Sequence, residues 1–237
     1  MKRSILIILA HPDDESCLLG GTIAKYSRQS IPVDLICATR GEKGTRLGVP
    51  KNVDTGKARE EELRSAANIL GIRHIYLLDY SDTGLISINL IGIVNRVIEI
   101  MKKLQPEVVI TFGPDGISGH NDHITIGKAV TIAFEKLKTG GEVLLRKLYY
   151  ITMPKSAFPE FLDSGIATRS EDEITTAIDI SGYLEFKLKA IAVYRSQQDT
   201  RRCLEIIKKY RESLVTSMEF LYLAIPKACN TETDLFQ

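Results

Sequence analysis

Cysteine, net charge and long apolar runs are all scarce in this chain of 237 residues, and each scarcity closes off a class of function. No stretch approaches the length needed to cross a bilayer. Lys and Arg number 31 against 30 Asp and Glu, a net charge of +1, which gives no electrostatic case for binding nucleic acid or a membrane surface. The four cysteines (Cys17, Cys37, Cys203, Cys229) form no C-x-x-C pair. With no secretory signal, they read as reduced thiols of a cytoplasmic protein. Met1-Lys2-Arg3 ahead of Ile5–Ala10 resembles a signal peptide only faintly. The apolar segment is too short and runs into His-Pro-Asp-Asp, which no cleavage site explains. Repeats and low-complexity tracts are absent. Also absent is the glycine-rich turn that a dinucleotide-binding enzyme places after its first strand. In its place stand His11-Pro12-Asp13-Asp14-Glu15, which would repel a phosphate, and Gly20-Gly21 come too late.

What is present alternates. Strand-like runs occur at 5–10, 33–39, 75–78, 108–112 and 148–152, with helical patterns at 16–30, 56–70, 89–104 and 122–137 between them. Ala58, Leu63, Ala66, Ala67 and Leu70 recur at helical spacing, and Gly71 closes that helix. Ile91, Val94, Ile98 and Met101 share one face of the next. Cys17 reads as a small core residue on the helix after the first strand. Five strands alternating with helices predict an α/β fold: a Rossmann-like three-layer sandwich with a mostly parallel sheet. At this length one domain is expected, with residues 1–152 as the core and 153–237 as a C-terminal α+β extension packed on it. In that extension a short strand is expected near 174–180, helices at 182–194 and about 200–213, and a late strand at 219–225.

The first strand-like run ends in one imidazole and three carboxylates. Open α/β sheets bind ligands beyond the carboxyl ends of their strands, so His11, Asp13, Asp14 and Glu15 stand where chemistry is expected. Adjacent carboxylates repel unless something cationic intervenes, and a divalent metal uses His and Asp together. Val108–Phe112 is a second such run, followed by the turn-forming Gly113–Gly119 and then His120-Asn121-Asp122-His123. Three of the four histidines therefore follow strand-like runs. His123, near the start of a helix, faces the positive end of its dipole, which disfavours imidazolium and suits a metal ligand. The residues alone do not choose between Asp13 and Asp14, or between His120 and His123. Glu15 is either a residue that orients a ligand or the first acidic residue of a helix.

Ala-His-Pro-Asp-Asp-Glu and the later Gly119-His120-Asn121-Asp122-His123 resemble the motifs of the LmbE-like (PIG-L) N-acetylglucosaminyl deacetylases. Thr39-Arg40-Gly41-Glu42, Arg59-Glu60-Glu61-Glu62-Leu63 and Tyr194-Arg195-Ser196-Gln197 match further family features, in order, from about residue 4 to about 198. Asn121 stands where the family usually has proline, and Tyr194 where many relatives have histidine. The resemblance implies a zinc-dependent hydrolase, iron being the alternative metal, that removes acetyl groups from N-acetylglucosamine conjugates. It assigns His11, Asp14 and His123 as metal ligands and Asp13 as the general base acting on metal-bound water. It makes His120 a stabiliser of the oxyanion, and Asp122 is placed to orient or charge-tune it, since a carboxylate partner favours the protonated imidazole. Substrate contacts are expected from Arg40, Arg59, Asp82 and Glu42 on strand-end loops, arginine offering a rigid fork of donors. The implied partner is a small amino-sugar conjugate, and relatives often form homo-oligomers. The competing classes are a facial-triad iron oxygenase and a metal- or sugar-binding protein without catalysis; Asp13 argues for hydrolysis, since an oxygenase needs no base there.

Overall fold

The structure is a computed structural model that describes residues 3–141, 143–156, 165–227 and 231–237. In chain order the elements are β1 (Ile5–Leu9), α1 (Asp14–Arg28), β2 (Val33–Thr39), α2 (Thr55–Leu70), β3 (His74–Tyr80), α3 (Leu90–Leu104) and β4 (Val108–Phe112). There follow α4 (Asn121–Gly140), β5 (Lys147–Thr152), β6 (Thr176–Asp179), α5 (Leu184–Val193), α6 (Gln198–Lys209) and β7 (Met218–Ile225). All of the expected strands and helices form, with ends that shift by a few residues. The largest functional shift is at α1, which begins at Asp14 rather than Ser16, so the acidic motif is itself the helix start.

Contacts divide the chain into two compact units. The first comprises Met1–Leu9, Thr83–Ala177 and Phe220–Gln237. Here β1, β4 and β5 run parallel, and β7 adds antiparallel to β5. β1 and β4 are fully buried runs of β-branched and aliphatic residues, the pattern of strands covered on both faces. Their register pairs Ile5 with Val108 and Ile7 with Ile110. Because they are parallel neighbours, the chain leaves both at the same edge of the sheet. α4 packs on them through Gly127, where a Cβ would stand 2.5 Å from the carbonyl oxygen of Phe112.

The second unit comprises Ala10–Asp82 and Ile178–Glu219. β2 and β3 pair in parallel. α1, α2 and α5 pack together, and α6 covers α5 through Leu184, Leu188, Ile191 and Ile207. Cys17 and Cys203 pack against that apolar cluster as expected of small core residues. Cys17, Cys37 and Cys203 are free thiols; Cys229 lies outside the described residues. Two buried charges join the pieces of this unit. Lys187 on α5 donates to Glu219 at 2.6 Å, and Glu219 also accepts from the amides of Gly21 (3.0 Å) and Thr22 (2.7 Å).

Candidate active site

The first cluster lies in the second unit. Two residues beyond β1, His11 is nearly buried, its own amide donating to Asp14 Oδ2 at 2.9 Å. The ring Nε2 lies 3.2 Å from Asp82 Oδ1, and Nδ1 lies 3.7 Å from Asp14 Oδ2. A carboxylate on one ring nitrogen fixes the tautomer and leaves the other nitrogen basic, the usual arrangement behind a metal-binding histidine. Asp82 is held in turn by the Lys43 amide at 3.0 Å. Burial alone would raise its carboxyl; the hydrogen bond and charge of His11, that amide and Arg59 outweigh it and bring it to about 2.

Asp13 occupies a strained position. Its φ is +108°, well outside the ordinary range for a residue with a side chain, and strain of this kind concentrates at functional sites. Three anchors hold the turn. Glu15 Oε2 accepts from the Asp13 amide at 3.1 Å, and the Asp13 carbonyl accepts from the amides of Ser16 and Cys17. Arg59 Nη2 donates to Asp13 Oδ2 at 2.8 Å and to the Pro12 carbonyl at 2.5 Å. Burial raises the Asp13 carboxyl to about 8; Arg59 opposes the rise, Asp14 and Glu15 add to it, and His11 opposes it. A carboxyl near neutrality is suited to receiving a proton and returning it. Glu15 is raised too, by burial, against the hydrogen bonds it receives from Ser16 and Tyr194.

The remaining residues expected in this region are committed within the protein. Arg59 also donates through Nη1 to the Gly41 carbonyl at 2.8 Å. Gly41 has φ +63°, and a Cβ there would meet the Arg59 guanidinium at 2.2 Å. Arg40 pairs with Glu60 and, at 2.7 Å, with Asp79. Glu42 Oε1 accepts from the Asp82 amide at 2.9 Å. The Tyr-Arg-Ser-Gln segment braces the cluster from behind. Tyr194 donates its hydroxyl to Glu15 at 2.7 Å, and Ser196 donates to Glu62 through both amide and hydroxyl. Gln197 donates to the Thr45 carbonyl at 2.9 Å. The link from Asp82 to His11, and that from Tyr194 to Glu15, join residues 71 and 179 positions apart, and no local pattern announces either.

The second cluster lies in the first unit, after β4. α4 begins at Asn121 with His120 as its N-cap: His120 Nδ1 accepts the Asp122 amide at 3.2 Å. An acceptor at Nδ1 places the ring proton on Nε2. His123 sits in the first turn, with Nδ1 3.0 Å from the Gly116 carbonyl and its ring stacked on Phe112 at 4.0 Å between centroids. A carbonyl only accepts, so Nδ1 donates there and the lone pair is on Nε2. Gly116 allows this: its φ is +61°, and a Cβ would lie 2.9 Å from Ile124 and 3.1 Å from His123. The two rings stand 5.1 Å apart, with ligand nitrogens within 4.8 Å of one another. Asp122 is fully buried and accepts from the amides of Thr83 (2.7 Å) and Leu85 (3.1 Å). Its carboxylate thereby ties α4 to the 83–85 turn, while its amide fixes His120.

Imidazoles with one ring nitrogen anchored, beside carboxylates, are donor types that suit a divalent metal. No helix among the described residues is long and apolar enough to cross a membrane. Comparison with known proteins gives the chain its relatives. The family model described as GlcNAc-PI de-N-acetylase, PIG-L, matches residues 6–134. A probable N-acetyl-alpha-D-glucosaminyl L-malate deacetylase 2 of Bacillus anthracis is 31% identical over 93% of this chain and 92% of its own length. A 1D-myo-inositol 2-acetamido-2-deoxy-alpha-D-glucopyranoside deacetylase of Saccharomonospora viridis is 28% identical, with 98% and 99% covered. The fold matches that of N,N'-diacetylchitobiose deacetylase from Pyrococcus horikoshii with a TM-score of 0.70 at 24% identity, covering 93% of this chain and 83% of that one. The α/β fold with its mostly parallel strands is thus shared along most of the chain. By family model and by relatives alike, the chain belongs to the PIG-L family of N-deacetylases, hydrolases of the amide bond.

Proposed function

We propose that the protein is a metal-dependent deacetylase that removes the N-acetyl group from an N-acetylglucosamine-type conjugate. The observation that carries the reading is the departure of the chain from two parallel neighbours, β1 and β4, at one sheet edge into His-Pro-Asp-Asp-Glu and Gly-His-Asn-Asp-His. His11, Asp14 and His123 are the proposed ligands, zinc being the metal and Fe2+ its alternative. The donor set supports this: both imidazoles have one nitrogen anchored, to Asp82 and to the Gly116 carbonyl. A dication held by three protein ligands supplies an open position, a water ligand with a pKa near 7, and polarisation of the amide carbonyl.

The chain's own groups do the rest. Asp13, fixed by Arg59, takes the proton of the attacking water and returns it to the departing nitrogen. His120 points its Nε2 proton at the carbonyl oxygen, where charge develops as the tetrahedral centre forms. This donor needs no positive charge, which suits a helix N-terminus. Asp122 keeps His120 and the 83–85 turn in place, and Glu15 with Tyr194 buttresses the strained turn at Asp13. Arg40, Arg59, Glu42 and Asp82 enter as the frame of the site, through which the sugar would be positioned.

The test is acetate release from N-acetylglucosamine conjugates of malate and of inositol, by protein stripped of metal and then resupplied with Zn2+. Release only after resupply is expected. Undiminished release by the stripped protein, or none from any N-acetylglucosamine conjugate by the loaded protein, would refute the reading.

A further inference from the structure

From the placement of Arg169 we infer a specificity site for a carboxylate on the substrate's aglycone, the part joined to the amino sugar; the inference rests on the deacetylase reading. Arg40 and the terminal nitrogens of Arg59, the arginines expected to meet substrate, are already engaged by the protein itself. Arg59 donates through both terminal nitrogens to carbonyls and to Asp13, and Arg40 is held by Glu60 and Asp79. Arg169 is different. Its backbone is fixed, donating to the Met153 carbonyl at 2.9 Å and accepting from the Lys155 amide at 2.9 Å. Its side chain is half-buried with its guanidinium 4.8 Å from the centre of the Tyr222 ring. The ring holds the guanidinium by a cation–π contact, and a guanidinium fork suits a planar anion. The acidic contacts of that fork are long: 3.4 Å to Asp115 and 3.9 Å to Glu173. Both are beyond the range of a strong charge-assisted hydrogen bond.

The position of this fork connects it to the reaction. Asp115 belongs to the loop after β4, and the next residue, Gly116, is the one whose carbonyl holds His123. The Ala167 amide donates to the Ile117 carbonyl of the same loop at 2.6 Å, so the segment bearing Arg169 lies against the loop that sets the histidine. Tyr150, stacked near Tyr222 at 6.4 Å, adds an aromatic wall of the kind that sugars and planar groups lie against. A carboxylate arriving here would replace a distant Asp115 contact with a bidentate one.

The experiment compares two N-acetylglucosamine conjugates, one with a carboxylate-bearing aglycone (malate) and one with a neutral aglycone (inositol), on zinc-loaded wild type, Arg169→Gln and Asp115→Asn. Selectivity is read as the ratio of kcat/KM for acetate release, and calorimetry reads direct binding. Wild type is expected to prefer the carboxylate conjugate, and R169Q to lose at least tenfold of that preference through KM. D115N, which frees the fork, is expected to keep or raise it. A purely structural ion pair predicts that R169Q and D115N fall together, which would overturn the inference, as would a wild type with no preference. Should neither conjugate be hydrolysed, the deacetylase reading has failed. Calorimetry then decides for Arg169: binding of the carboxylate conjugate weakened at least tenfold in R169Q sustains the site, whereas equal binding or none removes it.

Discussion

At the scale of single residues, the proposed mechanism divides labour among carboxylates that the sequence presents as equals. Asp82 is the carboxylate behind His11, at 3.2 Å from Nε2. Asp82→Asn should therefore weaken metal affinity about 10- to 100-fold, measured by competition with a chelator of known affinity; an unchanged affinity would mean that His11 is oriented by something else. Asp13 gives a pH signature. Burial holds its carboxyl at about 8 in the folded metal-free chain, against about 4 once unfolded. A raised carboxyl contributes stability that is complete below the unfolded value and is lost as pH rises through the folded one. The melting temperature of the stripped protein should accordingly fall between pH 5 and 8. Zinc should flatten the fall, because a nearby dication favours the ionised form. A stripped protein that gains stability over that range would contradict the assignment. Histidines after strand ends and paired aspartates were legible in the sequence. That Asp82 serves His11, or that Asp122 gives its carboxylate to Thr83 and Leu85 and its amide to His120, was not, because those bonds depend on tertiary folding across long separations.

At the scale of elements, apolar patterning told nearly all that there was to tell. β2 and β4 match their expected bounds, both being fully buried runs with little polar interruption. α1 begins two residues early because the polar residues Asp14 and Glu15, which look like loop, are buried and lie in its first turn. No pattern reveals the partnership of α5 with the start of β7. Lys187 and Glu219 are both buried, and Glu219 is also bonded to α1 by two amides. Removing one partner strands a buried charge, so Lys187→Met should cost about 3 kcal/mol by denaturant unfolding. The double variant Lys187→Met/Glu219→Gln should recover part of that loss. Additive losses would show that the pair is not coupled.

At the scale of the whole molecule, the order of elements delivers both motifs from the ends of β1 and β4, and this is legible in the sequence because parallel strands expose their carboxyl ends together. The substrate frame was less readable: Arg40 and Arg59 are arginines in the expected places, yet the protein's own acids and carbonyls occupy them. In the proposed mechanism the adjacent Asp14 and Asp13 divide into a group that holds the metal and a group that moves the proton. Substitution separates these roles. His123→Ala should lose metal and turnover together. The most direct measurement is bound metal and acetate turnover on one preparation of Asp13→Asn. Asparagine keeps the side-chain shape and tolerates positive φ better than most residues. One metal per chain with turnover reduced at least 100-fold, the general-base contribution being on the order of 10²–10⁴, is the predicted result; loss of the metal, or turnover at the wild-type rate, would contradict it.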